Sequence, residues 1–330
     1  MTSIASLQSL PSEFVVKLSN AMIISLEGEQ ADSYLQGQIT VNINKLTENT
    51  ARHFAHCDNK GKTWSTGYVT RHQNKLLLVT NEDAGSHSLA QLNKYGVFSK
   101  VDILDDTQTY SAYFISLDAV KTNEVKAALS QLFSENEVER LLESDTPDNG
   151  SLEKVESEHG VAYFANTSCK GIIVLLDDNG TKQINSLIEA QTLSCYPQTV
   201  FDAIQIQSVH ALVQGDAVAE YVPQMINVQA LNGIDFDKGC YIGQEVIARL
   251  DTYDKVKQHL VGLQLTESDL LEPGQRLYDG KRELGSITSA VYSPLQGPIA
   301  LAYVRREASA AGTKLDLAGI QATVVSLPFI

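Results

Sequence analysis

No apolar run in this sequence approaches the ~20 residues needed to cross a bilayer; Ile172 to Leu176 is among the longest. Basic charge is scarce as well. Lys and Arg number 25 against 40 Asp and Glu, a formal net charge of -15. That balance disfavours broad, sequence-independent gripping of nucleic acid, which depends on neutralising phosphates. Cysteine is sparse and scattered: Cys57, Cys169, Cys195 and Cys240 form no CxxC pair and no metal-finger spacing. The opening MTSIASLQSLPSEF lacks a basic start followed by an apolar core, so no secretory signal is expected. These absences lead us to expect a soluble, cytoplasmic protein with free thiols and neither a membrane nor a direct nucleic-acid partner.

What is present is ordinary globular material. Hydrophobic residues make up 43% and charged residues 20% of 330 positions, enough for two or three compact units. Helix-like runs are expected at Glu29–Gln36, Ser88–Lys94, Asn123–Phe133 and Lys182–Ala190. Strand-like runs are expected at Gln38–Ile43, His53–Cys57, Trp64–Thr70, Leu76–Thr80, Ala112–Leu117, Val161–Ala165, Gly171–Leu176 and Ala203–Ile206, the last led by Phe201. Asp58 to Lys62 (DNKGK) suits a tight turn. Residues 143–160 are acidic and turn-rich, reading as an exposed loop or hairpin. Such alternation predicts an α+β fold with sheets covered on one face by helices. Near residue 255 the pattern changes to short strands punctuated by PG, DG, LG and AG, with a hairpin turn expected at Tyr278–Lys281. The expected division is therefore residues 1–254 and a small β-barrel or sandwich over 255–330.

One stretch stands apart chemically: KGCYIGQE, residues 238–245. Val246, Ile247 and Leu250 follow at helical spacing, and Asp237 would cap a helix holding Cys240 in its first turn. There the helix dipole and Lys238 would stabilise a thiolate. The alternative is a glycine turn with a small packed cysteine. His53, His56 and Cys57 are all potential metal ligands, but strand alternation sends His56 and Cys57 to opposite faces, and no second ligand pair is evident. Trp64 suits either the core or the wall of a pocket for a flat ligand, and Phe201 shares that ambiguity.

The stretch DFDKGCYIGQEVIAR (235–249) resembles the signature of the YgfZ folate-binding proteins, relatives of the glycine-cleavage aminomethyltransferase. VPQMINVQALNG (222–233), YLQGQIT (34–40) and HCDNKGKTWS (56–65) carry the same resemblance. It implies an aminomethyltransferase-like fold: two interleaved α+β units around a central folate-sized cavity, then a C-terminal β-barrel. It further implies tetrahydrofolate or another reduced folate as ligand, and iron–sulfur enzymes, such as tRNA-thiolating proteins, as partners. The link to tRNA modification would then be indirect.

By this resemblance Cys240 is the expected working thiol. Phe201, Gln207, Trp64, Lys238, Gly239 and Tyr241 are the expected folate-side residues, and no metal ligands are expected. Gly243, Gln244 and Glu245 would shape the adjoining wall. The departures bear on activity. The aminomethyltransferases place a catalytic aspartate just after the glycine turn, where this chain has Trp64 and Ser65; neither is a carboxylate, which weighs against aminomethyl transfer. The relatives' pterin-binding glutamate falls on Gln207, and one of two flanking aromatics falls on Ala21. Two alternatives follow: a folate-dependent one-carbon transferase or demethylase, with Asp58 as the nearest carboxylate, or a non-catalytic scaffold.

Overall fold

The computed structural model describes residues 12–144, 150–253, 258–265, 271–279, 282–293, 297–317 and 320–327. Residues 145–149 of the acidic stretch and Gly280 and Lys281 of the expected hairpin turn lie outside the described residues.

The N-terminal part alternates strands and helices. Its strands are β1 (Phe14–Lys17), β2 (Ala21–Glu27), β3 (Thr50–Cys57), β4 (Thr63–His72), β5 (Lys75–Asn81) and β6 (Asp102–Asp105). They continue as β7 (Ser111–Ser116), β8 (Leu152–Ser157), β9 (Gly160–Ala165), β10 (Gly171–Leu176) and β11 (Ser194–Tyr196). The helices are α1 (Ala31–Gln36), α2 (Glu82–Gly96), α3 (Leu117–Val120), α4 (Asn123–Leu132), α5 (Glu135–Glu143), α6 (Asp178–Glu189), α7 (Gln198–Gln207) and α8 (Gln244–Tyr253). Several helix starts carry side-chain caps. Asn81, Asp177 and the Ser134–Glu137 capping box each satisfy an orphan N–H.

Among the described residues the strands run β11-β1-β7-β10-β9-β8-β3-β4-β5-β2-β6. Two halves meet at a narrow seam, where β3 and β8 share only the pairs Thr50↔Glu153 and Ala51↔Leu152. β10 shows how each half is layered. Ile172, Val174 and Leu176 pack with Val125, Leu129 and Ile184 of the covering helices. Ile173 and Leu175 point the other way, into a core shared with Tyr68 and Val79 of the other half and Phe201 and Ile204 of α7. Both faces are buried, so the strand reads as a continuous apolar run. Each such side chain contributes about 1.5–3 kcal/mol before conformational entropy is counted.

The remaining strands, β12 (Gln258–Leu265), β13 (Arg276–Asp279), β14 (Arg282–Ser293), β15 (Gly297–Arg305), β16 (Lys314–Leu317) and β17 (Ile320–Val325), are ordered β13-β14-β15-β12-β17-β16. The edge strands β13 and β16 come together, so the six strands form a nearly closed barrel. Its interior holds Leu263, Leu277, Ile287, Ala302 and Val324. α7 joins the two parts, because Ala203 and Ile206 pack with Val291, Ile299 and Leu301 of the barrel.

Three local expectations are corrected. Ala203–Ile206 is helical, within α7, rather than a strand. Gln38–Ile43 is not a ladder strand; it makes a single bridge, Ile39↔His56, and ends in a 3₁₀ turn at Ile43–Lys45. α8 begins only at Gln244, so Cys240 precedes the helix instead of lying in its first turn. Asp237 caps nothing; its carboxylate pairs with Lys45 at 3.1 Å on the surface.

Candidate functional site

The four segments that carry the resemblance are distant in sequence and packed together in space. Thr40 N–H and hydroxyl reach Ala55 O and Gly233 O, and Asp235 N–H donates to Thr40 O. Ile242 N–H donates to Gly37 O. Arg52 on β3 grips both Asp235 oxygens and the Asn232 carbonyl. Gly243 closes the set with φ +84°, and a Cβ there would collide with the Asp58 carbonyl oxygen and the Gly61 backbone. Only glycine suits that position, and its left-handed conformation is what delays the start of α8.

Lys238 is the hinge pin of this cluster. Its buried Nζ donates to the carbonyls of Gln36 (2.7 Å), Ile39 (2.6 Å) and Val41 (2.7 Å). It also sits 4.9 Å from the centroid of the Tyr241 ring. Burial pulls its pKa down to about 7, and Asp235 nearby pulls the other way. Three converging acceptors require three N–H donors, which only the ammonium form supplies. Lys238 thus ties the 235–242 segment to 36–41. Cys240, the next residue but one, is exposed at the surface of that segment, and Gly239 beside it faces open space. Tyr241 is buried against Ile234 and Ile247.

A separate feature lies between the two halves of the sheet. A cavity with about 810 Å³ of space, its solvent-open mouth included, is roofed by α7. Gln198, Phe201, Asp202 and Gln205 face it from α7, at the i, i+3, i+4, i+7 spacing of one helix face. His53, Thr66, Gly67 and Tyr68 contribute from β3 and β4, Ala21 and Val79 from β2 and β5, and His210 and Leu212 from the segment after α7. Phe201 and Ala21 therefore share this wall, with a ring at one place and a methyl at the other.

The wall mixes apolar surface with polar atoms that lack partners. His53 Nε2, Tyr68 OH and Gln198 Oε1 are all buried without a hydrogen bond. The His53 ring lies 4.4 Å from Tyr68 and 5.0 Å, edge-on, from His210. Burial holds both imidazoles neutral: His210 falls to about 4, and His53 falls well below its ordinary value, with His210 and Arg52 adding to the effect. Asp202 moves the opposite way; burial raises its carboxyl to about 6, partly offset by a 2.8 Å hydrogen bond from Gln198 Nε2. Such unpaired groups are costly in a protein interior, at ~1–3 kcal/mol each, and fit a heterocycle that presents both donors and acceptors.

Gly67 sits in the middle of this wall, where a Cβ would strike the Val79 carbonyl oxygen across β4 and β5. Gly67→Ala is expected to force those strands apart, costing about 1–3 kcal/mol in denaturant unfolding. An unchanged unfolding midpoint would show that the strands absorb the methyl.

The other residues singled out in the sequence lie elsewhere. Trp64 packs edge-on to His56 at 4.8 Å and walls a different, more open cleft with His87, Asp216 and Arg276. Ser65 is fully buried and hydrogen-bonded to Ser88 Oγ at 2.6 Å, which in turn meets His56 Nδ1 at 3.0 Å. Cys57 is buried, with its Sγ 3.9 Å from Thr63 Oγ1. Gln207 ends α7 outside the cavity lining, as do Lys238, Gly239, Cys240 and Tyr241. Asp58 caps its own turn, accepting from Lys60 N–H (2.8 Å) and Lys62 N–H (2.7 Å). Among the described residues no group of three His, Cys, Asp or Glu could hold a metal ion, and no helix is long and apolar enough to cross a membrane. Sequence reasoning missed Gln198, Asp202 and Gln205; their shared helical spacing with Phe201 was the available signal.

Residues 258–330 match the glycine cleavage T-protein C-terminal barrel domain. Over its whole length the fold is that of the aminomethyltransferases. The glycine cleavage system aminomethyltransferase T of Bartonella henselae superposes with a TM-score of 0.65 at 16% identity, over 99% of this chain and 88% of that one. The tRNA-modifying protein YgfZ of Escherichia coli (strain SE11) is 29% identical over 283 residues, 84% of this chain and 81% of the relative. The tRNA-modifying protein YgfZ of Colwellia psychrerythraea (strain 34H) is 33% identical over 272 residues, covering 82% of this chain and 76% of the relative. At 33% identity over four fifths of its length, the chain belongs to the YgfZ family.

Proposed function

We propose that this protein is a cytoplasmic folate-binding accessory factor that supports iron–sulfur enzymes and, through them, tRNA modification by thiolation. The observation that carries the folate half is the cavity under α7, whose apolar wall holds the unpaired His53 Nε2, Tyr68 OH and Gln198 Oε1. A reduced folate would place its flat ring there, against Phe201, with its polar edges toward those atoms. The tRNA half rests on the names of the relatives and on the acidic balance of the chain, which argues against a direct grip on RNA. Cys240 is the working thiol in this scheme, held at the surface by the Lys238 tie and away from the cavity lining. Ligand binding and thiol function are then separable properties.

Titration with tetrahydrofolate, 5-formyltetrahydrofolate and oxidised folate, repeated on Cys240→Ala, tests this separation. Both proteins are expected to bind the reduced folates equally, and Cys240→Ala is expected to fold normally yet lose rescue of a tRNA-thiolation defect. Full rescue by that variant would remove the thiol from the scheme.

A folate-dependent one-carbon transferase or demethylase is favoured by one observation, the carboxyl of Asp202 in the cavity wall. Asp58, the carboxylate nearest the family's catalytic place, is committed to its turn. Turnover of an N-methylated amine in the presence of tetrahydrofolate, abolished in Asp202→Asn, would establish that activity; its absence at high enzyme concentration leaves the accessory role.

A further inference from the structure

The family's pterin-binding glutamate falls on Gln207 in this chain, and Gln207 lies outside the cavity lining. A carboxyl is nonetheless present, five residues earlier and about 140° around the same helix. Asp202 lines the cavity together with Gln198, one turn before it. Its Oδ1 accepts from Gln198 Nε2 at 2.8 Å, which fixes the carboxyl plane and leaves Oδ2 for another donor. Gln198 cannot turn its amide without breaking that bond, so its Oε1 stays a buried acceptor with no partner. Two neighbouring acceptors on one helix face, one of them the buried Gln198 Oε1, match two neighbouring donors on whatever enters the cavity. Phe201 lies between them in sequence and supplies an apolar face beside the pair.

We infer that Asp202 and Gln198 read the donor edge of the bound ligand, the adjacent ring N–H and exocyclic amine of a 2-aminopyrimidinone-type heterocycle. The inference rests on the reduced-folate assignment and replaces Gln207 as the specificity-determining position. His53 and Tyr68, on the facing strands β3 and β4, meet the remainder of the ring. Without the amine this acceptor pair, in which Gln198 Oε1 is buried with no other partner, is left short of a donor, the situation in which a missing donor is most strongly rejected. Asp202 is a binding residue here, and no proton transfer is assigned to it.

The test is a binding cycle by isothermal titration calorimetry, using 5-formyltetrahydrofolate and its 2-desamino-2-methyl analogue. The wild-type protein is expected to prefer the parent compound by roughly 10- to 100-fold, the range for a hydrogen bond to a charged group. Asp202→Asn is expected to lose a similar factor for the parent and little more for the analogue, so the two deletions are strongly non-additive. Gln207→Ala is expected to stay within about twofold of wild type for the parent. If Asp202→Asn binds the parent as wild type does, or if the two losses simply add, Asp202 does not read that edge and the folate assignment survives without it. Should Asp202→Asn not fold, the wild-type preference decides alone: an analogue bound as tightly as the parent overturns the inference. A wild-type protein that binds neither compound overturns the folate assignment, and the role of Asp202 falls with it.

Discussion

Replacing Lys238 with methionine is expected to lower the melting temperature by on the order of 10 °C. The side chain volume is nearly kept, so the loss is chemical. Three main-chain carbonyls, those of Gln36, Ile39 and Val41, lose a buried charged donor at once. At ~1–3 kcal/mol for each acceptor left without it, the gross cost is about 3–9 kcal/mol, which relief from burying an ammonium brings down to roughly 3–6. Lys238→Arg offers no rescue, because a planar fork cannot aim three donors from one atom at converging oxygens. The same variant is expected to speed labelling of Cys240 by a maleimide, since the segment bearing it is no longer tied to residues 36–41. Wild-type melting together with wild-type labelling would show that Lys238 is dispensable for both.

That tie also explains where sequence-level reading failed. Ile39, Val41 and Ile43 alternate as a half-buried strand should, and all three are fully buried. Yet carbonyls of this segment are turned toward Lys238 Nζ instead of a neighbouring strand, so the alternation is real and the ladder is absent. α7 failed for a different reason. Val200, Phe201 and Ile204 face the core between the sheet halves, while Ala203 and Ile206 face the barrel. A helix held between two cores has no single apolar stripe, and its β-branched and aromatic residues then look like a strand. Mistaking α7 hid Asp202, whose position beside Phe201 has meaning only at helical spacing. By contrast, β5, β7, β9 and β10 were legible because each packs a continuous apolar run. The KGCYIGQE cluster was legible in composition alone. Gly243 fits its contact with Gly61, but the work of Lys238 is done by main-chain atoms that no pattern of side chains discloses.

Lowering the pH from 7.5 to 4.5 is expected to remove about 2–5 kcal/mol of stability, read as a fall in the urea unfolding midpoint. His53, His56 and His210 are buried and neutral in the fold. Burial lowers His56 to about 3 and His210 to about 4, and His53 falls well below 6.5. Their unfolded counterparts take up protons as the pH drops below 6.5, before the folded ones do. The stability is therefore complete above pH 6.5 and is lost as pH falls toward the folded values. Two pH units below the unfolded pKa correspond to about 2.7 kcal/mol each for His56 and His210, or about 5 for the pair, and His53 adds in the same direction. Asp202 opposes them. Its folded carboxyl, raised from 3.8 to about 6, keeps a proton that the unfolded chain gives up, adding stability as pH falls through that window. Its share is at most about 3 kcal/mol, so the histidines prevail. His210→Leu, which removes one titrating ring from the cavity wall, is expected to flatten the profile by about one histidine's share. A midpoint that does not move between the two pH values would mean that these rings are reached by water and protonated within the fold, and the cavity would then be wetter and more open than its packing indicates.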